Sequence, residues 1–107
     1  MRITSALALT AALFALCTSP ALALDRHVIF ENDSNSSITE IYANNVNDRY
    51  WSDNLLRGRI RPGSSRTINL DDRSGFCVYD IKVVSANGTY DQRIFNVCSE
   101  STFYFGS

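Results

Sequence analysis

From residue 26 onward, apolar residues recur at every second position in short runs separated by polar clusters, the period of strands half-buried in a sheet. Residues 27–30 are β-branched and aromatic, and the polar cluster 31–36 reads as a turn. Residues 37–43 form a second expected strand. Ile38, Ile41 and Tyr42 would also suit one helical turn, but Ile, Thr, Ile and Tyr in one short run fit a pleated surface better. The stretch 44–54 is polar around Tyr50 and Trp51. Ser52 is placed to cap a single helical turn through Leu55 and Leu56 that stops at Gly58. Arg61-Pro62-Gly63-Ser64 marks a turn, 65–70 a strand and 71–75 another turn. Two hairpin strands follow, 76–85 and 90–97, and 102–105 closes the sheet. Six or seven short strands at this spacing predict an all-β fold, a small antiparallel sandwich or barrel.

The hairpin carries a register expectation. Asn87-Gly88 is the preferred pair for a two-residue type I′ turn, which sets Ala86 opposite Thr89. Counting outward, Cys77 then faces Cys98 as a non-hydrogen-bonded pair with Cα atoms ~4.5 Å apart, within reach of a disulfide. Such a bridge contributes roughly 3 kcal/mol on chain-entropy grounds. The same register sets Asp80 diagonal to Arg93 and Asp91 diagonal to Lys82, as charge pairs on a solvated face.

The N-terminal 23 residues look like an export signal. Arg2 is the positive start, an apolar run from Ala6 to Cys17 follows, and Ala21-Leu22-Ala23 is a small-x-small cleavage site before Leu24. The run spans only ~18 Å as a helix, short of a ~30 Å hydrocarbon core, so cleavage is expected and no transmembrane span is expected to follow. Leu16 stands where a lipoprotein signal carries a small residue, and no second arginine follows Arg2. Residues 24–107 are then one β domain, exported to the periplasm or the medium. The loss of Cys17 leaves Cys77 and Cys98 as an even pair, as an oxidising compartment favours.

Charge narrows the function. The chain of 107 residues is 45% hydrophobic and 20% charged, and residues 24–107 hold nine basic against eleven acidic side chains. General nucleic-acid binding is disfavoured. His27 is the sole histidine; near the start of residues 24–107 it reads as an ordinary strand residue, and both remaining cysteines are committed to the bridge, so no enzyme is expected and no catalytic residue is assigned. Asp71 and Asp72 suit turn capping better than a glycosidase carboxylate pair, although a weak hydrolase stays among the alternatives. No cofactor or metal is expected. Two cysteines and one histidine lack zinc-ligand spacing, and Asn32-Asp33-Ser34-Asn35-Ser36-Ser37 satisfies the βγ-crystallin calcium motif but begins too early in the chain, so a capped hairpin turn is the reading preferred.

Arginine supplies the candidate site. Arg57, Arg59 and Arg61 alternate with Gly58, Ile60 and Pro62, so an extended stretch projects three guanidiniums from one face, with Arg66 returned toward them by the Pro62-Gly63 turn. Guanidinium forks suit an anionic envelope ligand or an acidic protein partner. The competing reading is an edge strand kept from aggregating by charge. A further lead is aromatic: Tyr50, Trp51, Tyr79, Tyr90, Phe103 and Tyr104 would line a carbohydrate or partner surface if they were not needed in the core.

Asn32-Asp33-Ser34 leading to Ile38-Thr39-Glu40-Ile41-Tyr42, Trp51 with Asp53-Asn54-Leu55-Leu56, Pro62-Gly63, Cys77-Val78-Tyr79-Asp80 and Asn96-Val97-Cys98 together resemble a family of small exported bacterial proteins of unknown function. The resemblance covers nearly all of residues 24–107 and implies export, compact β structure and the disulfide. It implies no catalytic residues. Ser74-Gly75-Phe76-Cys77-Val78-Tyr79 is one residue longer than the Ser-Gly-x-x-Tyr loop of small exported lysozyme inhibitors. The sequence thus points to a non-catalytic exported binding or interaction domain, with a periplasmic enzyme inhibitor, a calcium module or a weak hydrolase as alternatives.

Overall fold

The computed structural model describes residues 26–106. The expected export signal at 1–23, with its Cys17 and the expected cleavage point before Leu24, lies outside them. All regular elements among the described residues are strands: β1 (His27–Asn32), β2 (Ile38–Asn45), β3 (Ser65–Asn69), β4 (Val78–Ser85), β5 (Tyr90–Asn96) and β6 (Thr102–Phe105). They form two three-stranded sheets, ordered β3-β1-β6 and β2-β4-β5. The second sheet is antiparallel throughout. The first is mixed, with β1 antiparallel to β3 and parallel to β6. The fold is therefore sandwich-like and the barrel is not closed.

Alternation builds the core. Val28 and Phe30 on β1, Ile38, Ile41 and Ala43 on β2, Tyr79, Ile81 and Val83 on β4, Phe95 on β5, and Phe103 and Phe105 on β6 are all buried. The Phe103 ring packs 5.6 Å from Phe30 and 5.7 Å from Phe95, centroid to centroid, so it joins the two layers. Leu56, Ile60 and Leu70 complete the cluster from the connections. A second centre is polar. Asn32 is fully buried, its Nδ2 donates to the carbonyls of Ser36 and Ile60, and its Oδ1 accepts the Ser34 N–H and hydroxyl. The segment read as a calcium motif thus turns its first side chain inward as a backbone hub.

The hairpin register differs from the sequence expectation by one residue. Tyr79 faces Phe95 and Val84 faces Tyr90, because the loop has three residues, not two: the Gly88 N–H reaches the Ser85 carbonyl and the Ser85 N–H reaches Thr89. Gly88 has φ +89°, whereas Asn87 stays at negative φ and uses its Oδ1 to accept the Thr89 N–H. This is the type I turn with a glycine bulge. The expected diagonals dissolve with the shift. Asp80 instead accepts from Gln92, and Asp91 pairs with Arg93 two residues along its own strand.

The disulfide forms nonetheless, with Cys77 and Cys98 Cα atoms 5.3 Å apart. Cys77 itself faces Val97, whose N–H it binds through its carbonyl. Cys98 reaches it from the turn that follows β5, where Asn96 Oδ1 accepts the Cys98 N–H. The helical turn expected at 52–56 is absent. Ser52 and Asn54 cap the edge of β2, since Ser52 Oγ accepts the Ala43 N–H and Asn54 Oδ1 the Ile41 N–H; locally Asn54 Oδ1 also accepts the Leu56 N–H and Ser52 Oγ donates to the Asp53 carbonyl.

Candidate functional site

The segment 46–60 has no regular strand, yet it is held firmly. The N–H groups of Ser52 and Leu55 donate to the carbonyls of Ala43 and Ile41, and Ile60 exchanges two backbone bonds with Ile38. These bonds cover the free edge of β2 and bury Leu56 and Ile60. What they leave outside is Tyr50 and Trp51. Trp51 stays 41% exposed, although an indole of that size normally seeks cover.

Two clefts flank Trp51. The first, of about 290 Å³, lies between Tyr50–Trp51 and the 69–72 connection; its floor is Ala43, Leu55, Leu70 and Tyr79, and its rim carries Asn44, Asp48, Ser52, Asn69, Asp71 and Asp72. No lysine or arginine lines it. The second, of about 390 Å³, lies on the outer face of the β2-β4-β5 sheet among Glu40, Tyr42, Ser52, Lys82 and Val84, again against Trp51. The Tyr42 hydroxyl donates to Glu40. That bond, with desolvation and the carboxylate charge, raises the phenol above its ordinary value. Lys82 Nζ sits 5.0 Å from the centre of the Tyr90 ring.

Asp72 fixes the wall of the first cleft. Its Oδ2 accepts from Asn45 at 2.9 Å, and its Oδ1 accepts the Tyr79 hydroxyl at 2.7 Å and the Ser74 N–H at 3.0 Å. Burial pushes this carboxyl up, but the hydrogen bonds from Ser74, Asn45 and Tyr79 outweigh it and hold the group well below the usual carboxylate range. Burial is likewise the first cause raising the Tyr79 phenol, followed by its bond to Asp72. The expected turn-capping role of Asp71 and Asp72 is observed; the link from Asp72 to Asn45 and Tyr79 was not foreseen. Adjacent Arg73 takes φ +67°, a left-handed conformation uncommon outside glycine and asparagine.

The arginines divide. Arg57, Arg59 and Arg61 are exposed, with Arg59 and Arg61 on either side of buried Ile60. A bend at Gly58, φ +83°, separates Arg57 from that alternation, so the three do not lie on one continuous strand. Arg66, on β3 opposite Phe30, is exposed too, but its guanidinium is engaged, donating to the carbonyls of Arg57 at 2.7 Å and Arg59 at 3.1 Å. Its guanidinium positions the stripe. None of the four lines either cleft.

Other expectations also find their places. Tyr79 and Phe103 are core residues, whereas Tyr50, Trp51, Tyr90 and Tyr104 are exposed. In the stretch 74–79, Tyr79 is buried and Cys77 is bridged to Cys98. His27 opens β1 opposite Asn69. Among the described residues no three His, Cys, Asp or Glu side chains gather as a metal site, and no helix is long and apolar enough to cross a membrane. Comparison with family models, curated proteins and solved structures gives no match.

Proposed function

We propose that this chain is a non-catalytic, exported binding domain whose ligand site is the pair of clefts around Trp51, and that the ligand is a neutral or amino-sugar saccharide. One observation carries the reading: an exposed indole, next in the chain to Ser52, whose backbone and side chain bond to β2, is shared by two adjoining clefts whose rims are mostly carboxylate, amide and hydroxyl. An aromatic face covers the C–H face of a pyranose, while such rims accept and donate to its hydroxyls. Asp48 and Asp71 beside the first cleft repel uronic acids and phosphosugars and attract a protonated amine. The Cys77–Cys98 bridge agrees with export, because structural disulfides persist in oxidising compartments.

Trp51 is the sole tryptophan, so its emission reports the site directly. Neutral and amino-sugar oligosaccharides should shift that emission to the blue in a saturable titration. Calorimetry on Trp51→Ala should show the binding lost with the circular-dichroism spectrum retained. Unchanged emission across the saccharide panel overturns the reading. A second reading rests on the exposure of Arg57, Arg59 and Arg61 away from the clefts: an anionic envelope component or acidic protein docks there, and Arg66 holds the backbone beneath it.

A further inference from the structure

Each open strand edge of a sandwich must be covered, blunted or paired. The edge of β2 is covered by residues 52–60 through the bonds described above. On β6, Arg93 donates to the Tyr104 carbonyl. The edge of β3 is polar, with Ser65, Thr67 and Asn69 exposed. β5 differs. The bonds from Ser85 to Thr89 and from Val97 to Cys77 show that its odd-numbered residues face β4, so the N–H and C=O groups of Tyr90, Gln92 and Ile94 point away from the sheet. The Asn96 N–H is taken by Glu100, and the Asn96 carbonyl accepts from Ser99 and Glu100. The free edge is therefore the five-residue stretch 90–94, and its midpoint is Gln92. Both ends of this stretch are apolar and exposed, Tyr90 at 62% and Ile94 at 60%.

We propose that β5 pairs antiparallel with β5 of a second copy of this chain about a two-fold axis through Gln92, joining two three-stranded sheets into one of six strands. The stretch is self-complementary in that register. Tyr90 falls opposite the partner's Ile94, an aromatic–aliphatic pair of the favourable kind. Asp91 falls opposite the partner's Arg93 at a non-hydrogen-bonded position, where side chains approach most closely. Their side chains retain 39% and 44% exposure in the single chain, which leaves them reachable from the edge. A shift of one residue either way would oppose apolar to charged positions and lose both pairings. Because the axis is perpendicular to the sheet, both outer faces look the same way. The two β2 strands, each beside its Trp51, are then five strand spacings apart, about 24 Å. On the saccharide reading this makes the assembly bivalent toward a polymer; the pairing itself does not depend on that reading.

The test is the mass of the purified, disulfide-bonded protein by sedimentation velocity across a concentration series, without ligand. The expected result is a concentration-dependent species of twice the chain mass. Gln92→Pro removes the outward N–H together with the exposed side-chain bond to Asp80, and Ile94→Lys, which leaves that bond in place, sets charge against Tyr90 of the second copy; both should sediment as monomers with unchanged circular dichroism. Gln92→Cys should yield an interchain disulfide under mild oxidation faster than Thr67→Cys on the β3 edge. A monomer at every concentration, a dimer that survives both Gln92→Pro and Ile94→Lys, or equal cross-linking at the two cysteine positions would overturn the proposal. Loss of saccharide binding with the dimer intact would strike only the ligand reading.

Discussion

The guanidinium carbon of Arg93, on β5, stands 3.9 Å from the centroid of the Phe103 ring on the opposite sheet. The same side chain donates to the Tyr104 carbonyl, so one arginine closes the gap between the outer strands of both layers. Arg66 does the corresponding work at the other side through the carbonyls of Arg57 and Arg59. Arg26 ties down the 71–76 connection through those of Gly75 and Phe76. A fold with few backbone ladders and long irregular connections has many carbonyls to satisfy, and a guanidinium fork reaches two at once.

Replacing Arg93 by Met keeps the aliphatic stem over the core and removes the charge. We expect a loss of about 1–2 kcal/mol, from a partly exposed cation–π contact and a hydrogen bond to a charged donor. Urea midpoints should show it. A cycle with Phe103→Leu should give a coupling of about 0.5–1 kcal/mol, and a coupling near zero would mean that the ring and the guanidinium are mere neighbours.

Removing the bridge as Cys77→Ser with Cys98→Ser should cost about 3 kcal/mol, since the crosslink restrains a long loop in the unfolded chain. Mass spectrometry of the unreduced protein should show a single linked peptide containing both residues. Two free thiols would contradict the structure.

The bridge shows how the sequence can point to a correct contact through a wrong register. Ile94 and Phe95 are adjacent, so either could have faced the core, and a one-residue slip exchanges the faces of a strand. The signal that decides is Val97: Phe95 and Val97 share the period of two, whereas Ile94 shares it with Asn96. Asn87-Gly88 suggested the other register because Asn tolerates positive φ, but Asn87 serves through its side chain. Strand 102–105 and the Arg61–Ser64 turn were legible from local pattern alone, as Gly63 at φ +80° follows Pro62 in the type II arrangement. The Trp51 clefts were not. They bring residues 43–52 against 69–72, and no periodicity within either segment encodes that meeting. The roles of Ser52, Asn54 and Arg66 were equally hidden, because each side chain bonds to backbone in a distant segment.

Asn32 should resist substitution. Asn32→Ala removes the bonds of a fully buried hub; the Ile60 carbonyl keeps the Ile38 N–H and the Ser36 carbonyl the Ser34 hydroxyl, so the cost, about 1–3 kcal/mol, falls mainly on the Ser34 N–H and the space left behind. Asn32→Asp should be comparably damaging, because it turns an acceptor toward those carbonyls. Calcium should leave the thermal midpoint of the native protein unchanged, since a cation at Asn32 Oδ1 would have to displace both Ser34 bonds. A calcium-dependent rise of the midpoint would restore the crystallin-like reading.

Acid should weaken the fold through Asp72. Its folded carboxyl titrates well below the ordinary value of 3.8, so the stability it supplies is fully present above that value and is lost as pH falls beneath it. Asp72→Asn should flatten this part of the stability–pH profile. Asp72→Ala should additionally cost about 1–3 kcal/mol at neutral pH, because the buried Tyr79 hydroxyl and Asn45 amide lose their acceptor. An acid limb of equal steepness in Asp72→Asn would assign the dependence elsewhere, with Glu31, whose carboxyl is raised by its hydrogen bond to Asp33, excluded by sign.

The arginine stripe yields a contrast between neighbours of the same chemistry. Arg57, Arg59 and Arg61 are exposed, so changing all three to Ser should leave the fold nearly intact, as surface substitutions usually stay within about 0.5 kcal/mol each. Arg66→Ser should destabilise more than any one of them, because it releases the Arg57 and Arg59 carbonyls and loosens the segment that covers β2. If the stripe binds an anionic partner, the triple variant loses both affinity and its salt dependence, since exposed charge contacts weaken as the Debye length falls from ~10 Å at 0.1 M to ~3 Å at 1 M. Arg66→Ser should weaken that binding as well while leaving the salt slope almost unchanged, because it disturbs the geometry of the three charges without removing them. Binding to an acidic partner with the same affinity and slope in the triple variant would leave the stripe as a solvated rim around the β2 cover.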